Sequence, residues 1–383
     1  MNILYLSSAE PARKNGYAVE SEMHRSIICE IGEKRGRTVC LFYCFTEMEE
    51  IPGRVLYVKT QTTGRKLAAA VMGYPPNLSL GVVSRTMHAI KDFNIDVVYI
   101  DNSISGKLVK KIKGRFPHVR VICFFHDIQA VKRPNDKGSS LLRRMVLPVY
   151  LRNERLTVAY SDRTIVLNRR DADLYRQVYG KDPFMLAPVG LNMPGDVDGG
   201  LRHRGNTPLK LLFVGVVYEP NLNAIRWFLK HVVPRVRSNI TFSIVGKDME
   251  KYREEFEQAA DCVRVLGTVV SLAPHYIDAD VVVVPLFEGG GMKIKTAEAF
   301  SYGKHYIGTT EGLEGYWEEI PEPLKGTKIF RCDDPADFAG TIDHLAANDF
   351  FKFDPAVRQL AEDKYSFNRI YACYDRTFDF AGC

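Results

Sequence analysis

The sequence predicts an α/β protein made of two doubly wound domains in series. Three observations support this fold class. Apolar runs with strand character alternate with segments of helical periodicity along the chain. The length of 383 residues is ample for two hydrophobic cores. Residues 190–208 interrupt the alternation with glycine, proline and polar residues, and this stretch is the predicted linker.

Each half of the chain supplies its own set of predicted elements. In the first half, strands are predicted at 3–7, 38–45, 96–101, 119–125 and 163–167, and helices at 17–35 and 108–116. In the second half, strands are predicted at 209–215, 241–246, 280–285, 305–309 and 327–331, and helices at 221–233, 293–302 and 367–380. The run DVVVVP at 280–285 is typical of a parallel strand buried on both faces. The predicted domains are 1–195 and 196–365, with 366–383 as a helix that packs back on the first domain.

The composition indicates an ordinary globular protein. Hydrophobic residues make up 46% and charged residues 26% of the chain. No apolar run is long enough to predict a transmembrane helix, and the first residues read as a strand rather than a secretion signal. The eight cysteines show no metal-binding spacing, so free thiols in a reducing cytoplasm are expected.

The charge is distributed unevenly between the two halves. Residues 1–195 hold 30 Lys and Arg against 18 Asp and Glu, and 101–170 alone holds 16 against 5. A basic surface attracts anionic partners, and its mixture with apolar residues at 143–151 suits peripheral contact with the inner face of an anionic membrane. A solvated basic face without a partner is the alternative. Nucleic acid is not predicted as a partner, because no aromatic-interleaved platform is present.

The most informative segment follows the predicted strand 280–285. It reads Glu288-Gly-Gly-Gly-Met-Lys-Ile-Lys-Thr-Ala-Glu298. Glycines let backbone N–H groups approach a phosphate closely, and a following helix adds unpaired N–H donors at its N-terminus. Lys293 and Lys295 are expected in the first turn of a helix beginning near Met292, where cations are unfavourable without a bound anion. The segment therefore predicts a site for an anionic ligand, with a plain strand–helix turn as the structural alternative.

Further stretches accompany this segment in a fixed order. They are the strand and loop at 213–224, the glycine-ended strands at 245–246 and 265–269, the strand at 279–285 and the loop at 308–315. Together they resemble the donor-binding domain of the retaining GT-B glycosyltransferases, family 4 (glycosyl transferases group 1). The resemblance is specific over 210–315, whereas the first half of the chain matches only in outline. It implies a GT-B fold, in which two Rossmann-like domains face a central cleft.

The resemblance also implies a reaction and a set of residues. Sugar passes from a nucleotide-sugar donor to a glycan, lipid-linked or protein acceptor with retained anomeric configuration and no covalent enzyme nucleophile. Stabilising charge on the leaving diphosphate is the main task, expected of Lys295 first and Lys293 second, while Glu298 holds ribose hydroxyls. The implied donor-binding residues are Gly16, Gly215, Asn221, Glu288, Gly289, Gly290, Gly291, Met292, Lys293, Ile294, Glu311 and Glu314. Such enzymes serve bacterial-type cell-surface polysaccharide or glycoconjugate synthesis.

One position departs from the family pattern. Many members carry two glutamates eight positions apart in this signature, yet the position eight before Glu298 is Gly290. Glu288 lies two residues earlier. The segment therefore resembles a variant within the family. Which carboxylate meets the sugar hydroxyls stays open, as does whether Glu288 replaces the glutamate missing at Gly290.

In the first half, His126 ends an apolar strand. A histidine there is placed to hydrogen-bond the transferred sugar or its reacting centre, and family members often carry one at this strand end. It is therefore the third expected catalytic residue, with Lys295 and Glu298. Asn15-Gly16-Tyr17 occupies the place of the family's glycine-bearing loop. Glu154 is a weaker candidate for acceptor contact, with a solvated helix position as the alternative.

No essential metal or cofactor is expected. The Asp-x-Asp pairs at 171–173 and 278–280 lie at predicted element starts, where structural or capping roles are usual. No dinucleotide-binding fingerprint follows an early strand. Two other functions remain as alternatives: a nucleotide-sugar epimerase of similar shape, for which His126 is the one candidate acid or base, and a non-catalytic carbohydrate-assembly module that has kept the fold.

Overall fold

The structure is a computed structural model of the chain. It describes residues 1–9, 16–45, 50–51, 53–59, 62–132, 141–195, 197, 201–202 and 207–380. The chain divides into two compact units. The first comprises 1–188 with 370–383, and the second comprises 189–369.

The first unit is a seven-stranded parallel sheet with helices. Its strands are β1 (Asn2–Ser7), β2 (Arg37–Phe45), β3 (Val55–Lys59), β4 (Val97–Ile100), β5 (Arg120–Phe125), β6 (Arg163–Val166) and β7 (Met185–Leu186). Its helices are α1 (Gly16–Arg35), α2 (Thr63–Val71), α3 (Leu80–Asp92), α4 (Gly106–Arg115), α5 (Gln129–Lys132), α6 (Leu141–Tyr160) and α7 (Arg169–Tyr179). The strand order is β3-β2-β1-β4-β5-β6-β7, so the direction of winding reverses between β1 and β4.

The second unit repeats this plan around a six-stranded parallel sheet. Its strands are β8 (Leu201–Arg202), β9 (Leu209–Val214), β10 (Ile240–Val245), β11 (Val263–Gly267), β12 (Val281–Val284), β13 (His305–Gly308), β14 (Ile329–Arg331) and β15 (Phe350–Phe351). Its helices are α8 (Glu219–Trp227), α9 (Arg253–Ala259), α10 (Ala273–Asp278), α11 (Ile294–Ser301), α12 (Pro335–Ala346) and α13 (Pro355–Tyr365). A last helix, α14 (Phe367–Thr377), begins in the second unit and belongs to the first unit from Ile370 onward. The main sheet has the order β11-β10-β9-β12-β13-β14, and β8 pairs with β15 outside it.

Burial on both faces explains the apolar strands. All four valines of β12 are fully buried, and β4 and β6 are buried along their whole length. Each unit has its own core, formed by the inward-facing residues of its sheet and helices. The two Rossmann-like units match the predicted α/β class.

Local sequence signals set several helix starts. The Asn168 side chain accepts the Asp171 N–H and caps α7, so Asp171 lies inside the first turn of that helix. Asp334 and Asp354 cap α12 and α13 in the same way, and a proline occupies the first turn of each. The predicted helix 221–233 is α8 continued by a π-helical turn at Phe228–Val232.

The division between the units lies near the predicted linker without coinciding with it. The chain crosses from the first unit to the second between Pro188 and Val189. Leu191 then donates its N–H to the Tyr365 carbonyl at 2.7 Å, inside the second unit. At the other end, α14 holds to the first unit: Tyr374 bonds to Tyr99 through their hydroxyls at 3.1 Å, and Arg163 donates to the Thr377 carbonyl at 2.8 Å.

Two further features bear on the expectations. The six cysteines whose side chains are described are free thiols. No helix in the described part of the chain has both the length and the hydropathy required to span a bilayer.

Candidate functional site

The glycine segment lies at the switch point of the second unit. β9 and β12 are adjacent in the sheet, and the winding reverses between them. Gly215 directly follows β9, and the loop 285–293 follows β12. Open α/β sheets bind ligands beyond the carboxyl ends of their strands at such a reversal. The fold therefore places both predicted donor-site stretches where a ligand is expected.

Glycine is required here by close backbone approach. A Cβ on Gly246, after β10, would lie 1.8 Å from the Gly215 carbonyl oxygen, and Gly246 has a φ of +154°. Gly289 and Gly291 adopt φ angles of 145° and 63°, which residues with a side chain rarely adopt. Residues 288–290 are exposed, so their backbone is accessible to a ligand.

Lys293 lies just before the helix. The helix α11 begins at Ile294, one residue after the start of the predicted helix 293–302, and Lys293 is its N-cap residue with extended backbone. Its ammonium donates to Glu311 Oε1 at 2.6 Å and to the Gly291 carbonyl at 2.8 Å. The Lys293 charge is thus paired with a carboxylate. Its hydrogen bond to the Gly291 carbonyl stabilises the glycine loop.

Lys295 is the lysine that lies in the first turn. Its ammonium donates to Asn221 Oδ1 at 2.7 Å and lies 4.3 Å from the centre of the Phe213 ring. Asn221 is itself fixed by donation from Nδ2 to the Val216 carbonyl at 2.8 Å. No ion pair joins Lys295 to any carboxylate that the structure describes. Burial and the nearby Lys293 charge lower the pKa of Lys295 to about 7, which Glu298 only partly offsets.

Space for this ammonium depends on Gly215. A Cβ at that position would lie 2.9 Å from Lys295 Nζ. The arrangement holds a cation without a described carboxylate partner beside the half-buried Gly215 and in the first turn of α11. These are the features that an anion site combines.

The remaining predicted carboxylates have different surroundings. Glu298 accepts the Tyr276 hydroxyl at 2.8 Å, and burial raises the pKa of Glu298. Glu288 accepts from Asn223 Nδ2 at 2.8 Å on the exposed part of the loop. Glu311 is committed to Lys293, and Glu314 lies half-buried on the following turn. Of the apolar pair, the Met292 side chain is buried and Ile294 is half-buried, so only their backbone is suited to ligand contact.

The first unit has a polar cluster at its own switch point. Asp101 directly follows β4 and is fully buried. Its Oδ1 lies 3.0 Å from His24 Nδ1 and 2.9 Å from His126 Nε2. Its Oδ2 accepts the hydroxyls of Tyr5 and Ser7, each at 3.0 Å. We call Glu20, His24, Asp101 and His126 the carboxylate–histidine network.

Geometry fixes the protonation of His126. One ring nitrogen faces Asp101, and the other lies 2.9 Å from Glu20 Oε2. An ionised carboxylate only accepts, so both nitrogens must donate and the ring is an imidazolium. Burial by itself lowers the pKa of His126, but the charges of Asp101 and Glu20 outweigh burial and raise it to about 10. Conversely, burial opposes the ionisation of Asp101, yet His126 and His24 hold its pKa well below the usual range.

The ligand-type atoms of His24, Asp101 and His126 also lie within 4.8 Å of one another, a grouping that metal ions use. Hydrogen bonds account for the grouping without an ion. Asp101 Oδ1 accepts from both histidines, and the far nitrogen of His126 is held by Glu20.

Gly16 and Glu154 are the other two predicted positions of the first unit. Gly16 opens α1, and Asn15 lies outside the described residues. The Tyr17 ring packs edge-on against His126 with centroids 4.7 Å apart. Glu154 is fully buried rather than solvated, because it accepts the Gln129 and Ala130 N–H groups that open α5, and the Tyr179 hydroxyl at 2.6 Å.

Asp280 is a structural residue. It is buried at the start of β12, where it accepts the Lys210 N–H at 2.9 Å and pairs with Lys352 at 3.1 Å.

Sequence reasoning missed Glu20, His24 and Asp101. Asp101 had a usable signal, since a carboxylate directly after an apolar strand lies at the ligand-binding edge of the sheet. Glu20 and His24 lie one turn apart inside a helical segment. Only the pairing of β1 with β4 and of β4 with β5 brings His126 and Asp101 beneath that helix.

We expect His126 to carry two ring protons at about pH 8, where an ordinary histidine with a pKa near 6.5 is neutral. Because the pKa of His126 is raised in the folded state, its protonation adds to the free energy of unfolding. This contribution is complete below about pH 6.5, the ordinary pKa of histidine, and is lost as the pH rises through the folded-state pKa of about 10. Ring ¹⁵N chemical shifts measured across this range test the prediction. A neutral ring at about pH 8 contradicts it.

Comparisons with known proteins bear on the second unit and on the fold. Residues 208–348 match the family model described as "Glycosyl transferases group 1". No curated protein sequence matches the chain significantly. Among solved structures, the lipopolysaccharide outer core galactosyltransferase WaaB in its apo form is similar, with 13% identity, 98% of each chain covered and a TM-score of 0.69.

Two more structures share the fold. Sucrose-phosphate synthase from Thermosynechococcus elongatus has 16% identity, 98% of each chain covered and a TM-score of 0.68. Anabaena HepE in complex with UDP has 14% identity, 98% of this chain and 99% of its own covered, and a TM-score of 0.65. The fold is therefore GT-B. With the group 1 glycosyltransferase domain at 208–348, the protein is an enzyme of the transferase class.

Proposed function

We propose that the protein is a retaining glycosyltransferase of family 4. It moves a sugar from a nucleotide-sugar donor to a glycan, lipid-linked or protein acceptor, in the cytoplasm, during bacterial-type cell-surface polysaccharide or glycoconjugate synthesis. The observation that carries the proposal is the Lys295 ammonium, which is held by Asn221 at 2.7 Å beside the glycine backbone and is left without a carboxylate partner among the described residues.

The contrast between the two lysines supports this assignment. Lys293 is neutralised by Glu311 at 2.6 Å, whereas the Lys295 ammonium contacts an amide oxygen and the Phe213 ring, with no carboxylate paired to it among the described residues. A half-buried cation without a counter-ion is costly, and its desolvation lowers the pKa of Lys295 to about 7. A diphosphate beside it supplies the missing negative charge and favours the protonated form. Lys295 is then placed to stabilise charge on the leaving diphosphate.

Other residues of the second unit take supporting roles. The loop 289–291 offers backbone N–H groups to the phosphates. Gly215, whose own N–H donates to the Val245 carbonyl, leaves room for the Lys295 ammonium, and Asn221 orients it. Glu298 has one carboxylate oxygen fixed by Tyr276 and offers the other to ribose hydroxyls. Many members of the family have a glutamate at the position of Gly290, where it would meet the sugar hydroxyls. In this chain Glu288, on the exposed part of the loop, is the candidate for that role. HepE has been crystallised with UDP-glucose, which supports a uridine donor for this proposal.

The same geometry weighs against epimerase chemistry. An epimerase needs side chains that remove and return a proton at a sugar carbon. His126 was the single candidate, and both of its nitrogens are bonded to carboxylates at 2.9 Å. A ring with a pKa raised to about 10 is a poor base near neutral pH.

A thermal-shift panel of UDP, GDP and ADP and their sugar derivatives tests the proposed function. We expect one base series to raise the melting temperature, since a ligand that binds only the folded state stabilises it by mass action. The same compounds with Lys295→Ala should give a smaller shift. A chain that responds to no nucleoside diphosphate contradicts the proposed function.

No essential metal is proposed, because Lys295 and backbone N–H groups supply the positive charge. Chelation with EDTA should leave both turnover and melting temperature unchanged. A loss restored by Mg²⁺ or Mn²⁺ contradicts this. A loss restored by Zn²⁺ instead points to His24, Asp101 and His126, whose ligand-type atoms lie within 4.8 Å of one another.

Part of the basic excess in 101–170 is used inside the fold. Lys113 and Arg120 both pair with Asp162, and Arg163 is buried against carbonyls of the C-terminal residues. Lys110 and Lys111 of α4 remain exposed, and their helix lies beside a turn with exposed apolar side chains at Val71 and Met72.

We propose that this exposed basic and apolar surface contacts an anionic membrane peripherally. Flotation with anionic liposomes at low salt should carry the protein upward, and neutral liposomes should not. Replacing Lys110 and Lys111 with Gln should weaken flotation. Absence of binding at low salt removes the membrane from the proposal.

A further inference from the structure

The carboxylate–histidine network of the first unit leaves one atom unused. Glu20 is buried, with 8% of its surface exposed. Its Oε2 lies 2.9 Å from His126 Nδ1, but its Oε1 is a buried oxygen with no hydrogen-bond donor in the described structure. Buried carboxylate oxygens without a donor are rare because desolvation is not compensated, so each needs a specific explanation.

The ring nitrogens of His126, the Tyr17 hydroxyl and the Asp101 carboxylate already have other partners. Both His126 nitrogens are bonded to carboxylates. The Tyr17 hydroxyl lies 3.2 Å from the Ser8 hydroxyl and 3.5 Å from the Asp101 carbonyl. Asp101 accepts four donors through its two oxygens. None of these groups donates to Glu20 Oε1, which stays an open acceptor.

The position of the open oxygen indicates a ligand. Glu20 lies four residues after Gly16, the first residue of α1, and its carboxylate reaches His126, which directly follows β5. This is the carboxyl-end edge of the sheet beside the β1–β4 reversal, where such folds bind ligands. Tyr17 contributes a ring that is 37% exposed next to it, and sites for small molecules combine such aromatic faces with a few polar atoms.

The charge of the carboxylate–histidine network indicates which chemical class of ligand fits Glu20 Oε1. Two carboxylates, Asp101 and Glu20, flank His126, and no Lys or Arg among the described residues forms an ion pair with either of them. An anionic group is repelled from Glu20 Oε1, and a hydroxyl donor is favoured. Sugars carry many such hydroxyls.

We propose that Glu20 binds a sugar hydroxyl through Oε1, and that His126 acts as a positioning residue that holds the Glu20 carboxylate in place. The inference rests on the proposed function only for the identity of the ligand as a sugar. The hydroxyl comes either from the sugar of the donor or from the acceptor.

The test compares Glu20→Gln with Glu22→Gln. In the first variant, the amide oxygen of the introduced side chain can still accept from His126, but its NH₂ group then occupies the open position. Glu22 lies two residues away on α1, pairs with Arg25 and is partly exposed, so it is a matched control. Glu20→Asp keeps the charge and shortens the reach, which provides a second variant if the amide destabilises the fold. Melting temperatures check that each variant is folded.

The donor arm measures calorimetric affinity for a nucleoside diphosphate and for its sugar derivative. If the hydroxyl belongs to the donor, Glu20→Gln should lose about ten-fold or more in affinity for the sugar derivative and keep the affinity for the nucleoside diphosphate. The acceptor arm measures free glucose, galactose and N-acetylglucosamine by saturation-transfer NMR. If the hydroxyl belongs to the acceptor, the variant loses this binding alone.

The outcomes separate the two proposals. A Glu20→Gln variant that matches Glu22→Gln in both arms overturns the hydroxyl site. So does a wild type that binds neither a sugar derivative nor a free sugar. A wild type that binds free sugars but no nucleotide overturns the proposed function, and the acceptor arm still decides the role of Glu20.

Discussion

Replacing Lys295 with Ala is expected to lower sugar transfer by about 100-fold or more, because the change removes the charged donor proposed to face the leaving diphosphate. Its ammonium, held by Asn221 at 2.7 Å, is the cation of the glycine segment that no described carboxylate neutralises. The effect should appear in kcat more than in KM, since the charge on the leaving group grows in the transition state. Steady-state rates with the donor identified by thermal shift provide the measurement.

The matched control is Lys251→Ala. Lys251 lies in the same unit, has a side chain that is 66% exposed and pairs only with its neighbour Asp248. Its loss should leave turnover within about two-fold of wild type, because exposed ion pairs contribute little. Near-normal turnover in Lys295→Ala would remove that residue from the proposed mechanism. Unchanged turnover there with a large loss in Lys293→Ala would transfer the role to Lys293.

Replacing Asp101 with Asn is expected to destabilise the first unit by on the order of 3–5 kcal/mol, the usual effect of breaking a buried ion pair. The carboxylate is fully buried and accepts from His24, His126, Tyr5 and Ser7. An amide at this position presents an NH₂ to groups that are themselves donors. Thermal and urea unfolding measure the loss.

The same substitution should also lower the pKa of His126, because the Asp101 charge is a main cause of its elevation to about 10. Asp173→Asn is the control, since Asp173 is 71% exposed and pairs with Arg176 on the surface of α7. Its effect on stability should stay within about 0.5 kcal/mol. An equally small effect of Asp101→Asn would mean that the network does not depend on its central charge.

The order of elements followed from the sequence because both sheets are parallel and their strands are buried on two faces. Continuous apolar runs such as 280–285 are distinct from the amphipathic helices between them. Several elements were not predicted, among them β3, α3, α12 and α13. β3 (Val55–Lys59) has half-buried and exposed residues, and α13 (Pro355–Tyr365) has a mixed pattern that its Asp354 cap explains only in the structure.

The glycine segment could also be recognised as a ligand site from the sequence, because its strand, glycines, lysines and helix are contiguous in the chain. The sequence did not distinguish the two lysines. Glu311 lies 18 residues beyond Lys293 and Asn221 lies 74 residues before Lys295, so the pairing of one and the isolation of the other depend on the packing of β9, β12 and the loop after β13.

The sequence by itself determined the α/β class, the position of the glycine–lysine segment after a buried strand and the place of His126 at a strand end. Only the tertiary structure decided which residues these side chains bond to. His126 meets Asp101 across 25 residues and Glu20 across 106, which no local pattern records. The physical reason is that the order of strands in the sheet, and not distance along the sequence, decides which strand ends meet at the switch point. The protonation of a side chain there depends on the charged groups that the strand order places beside it.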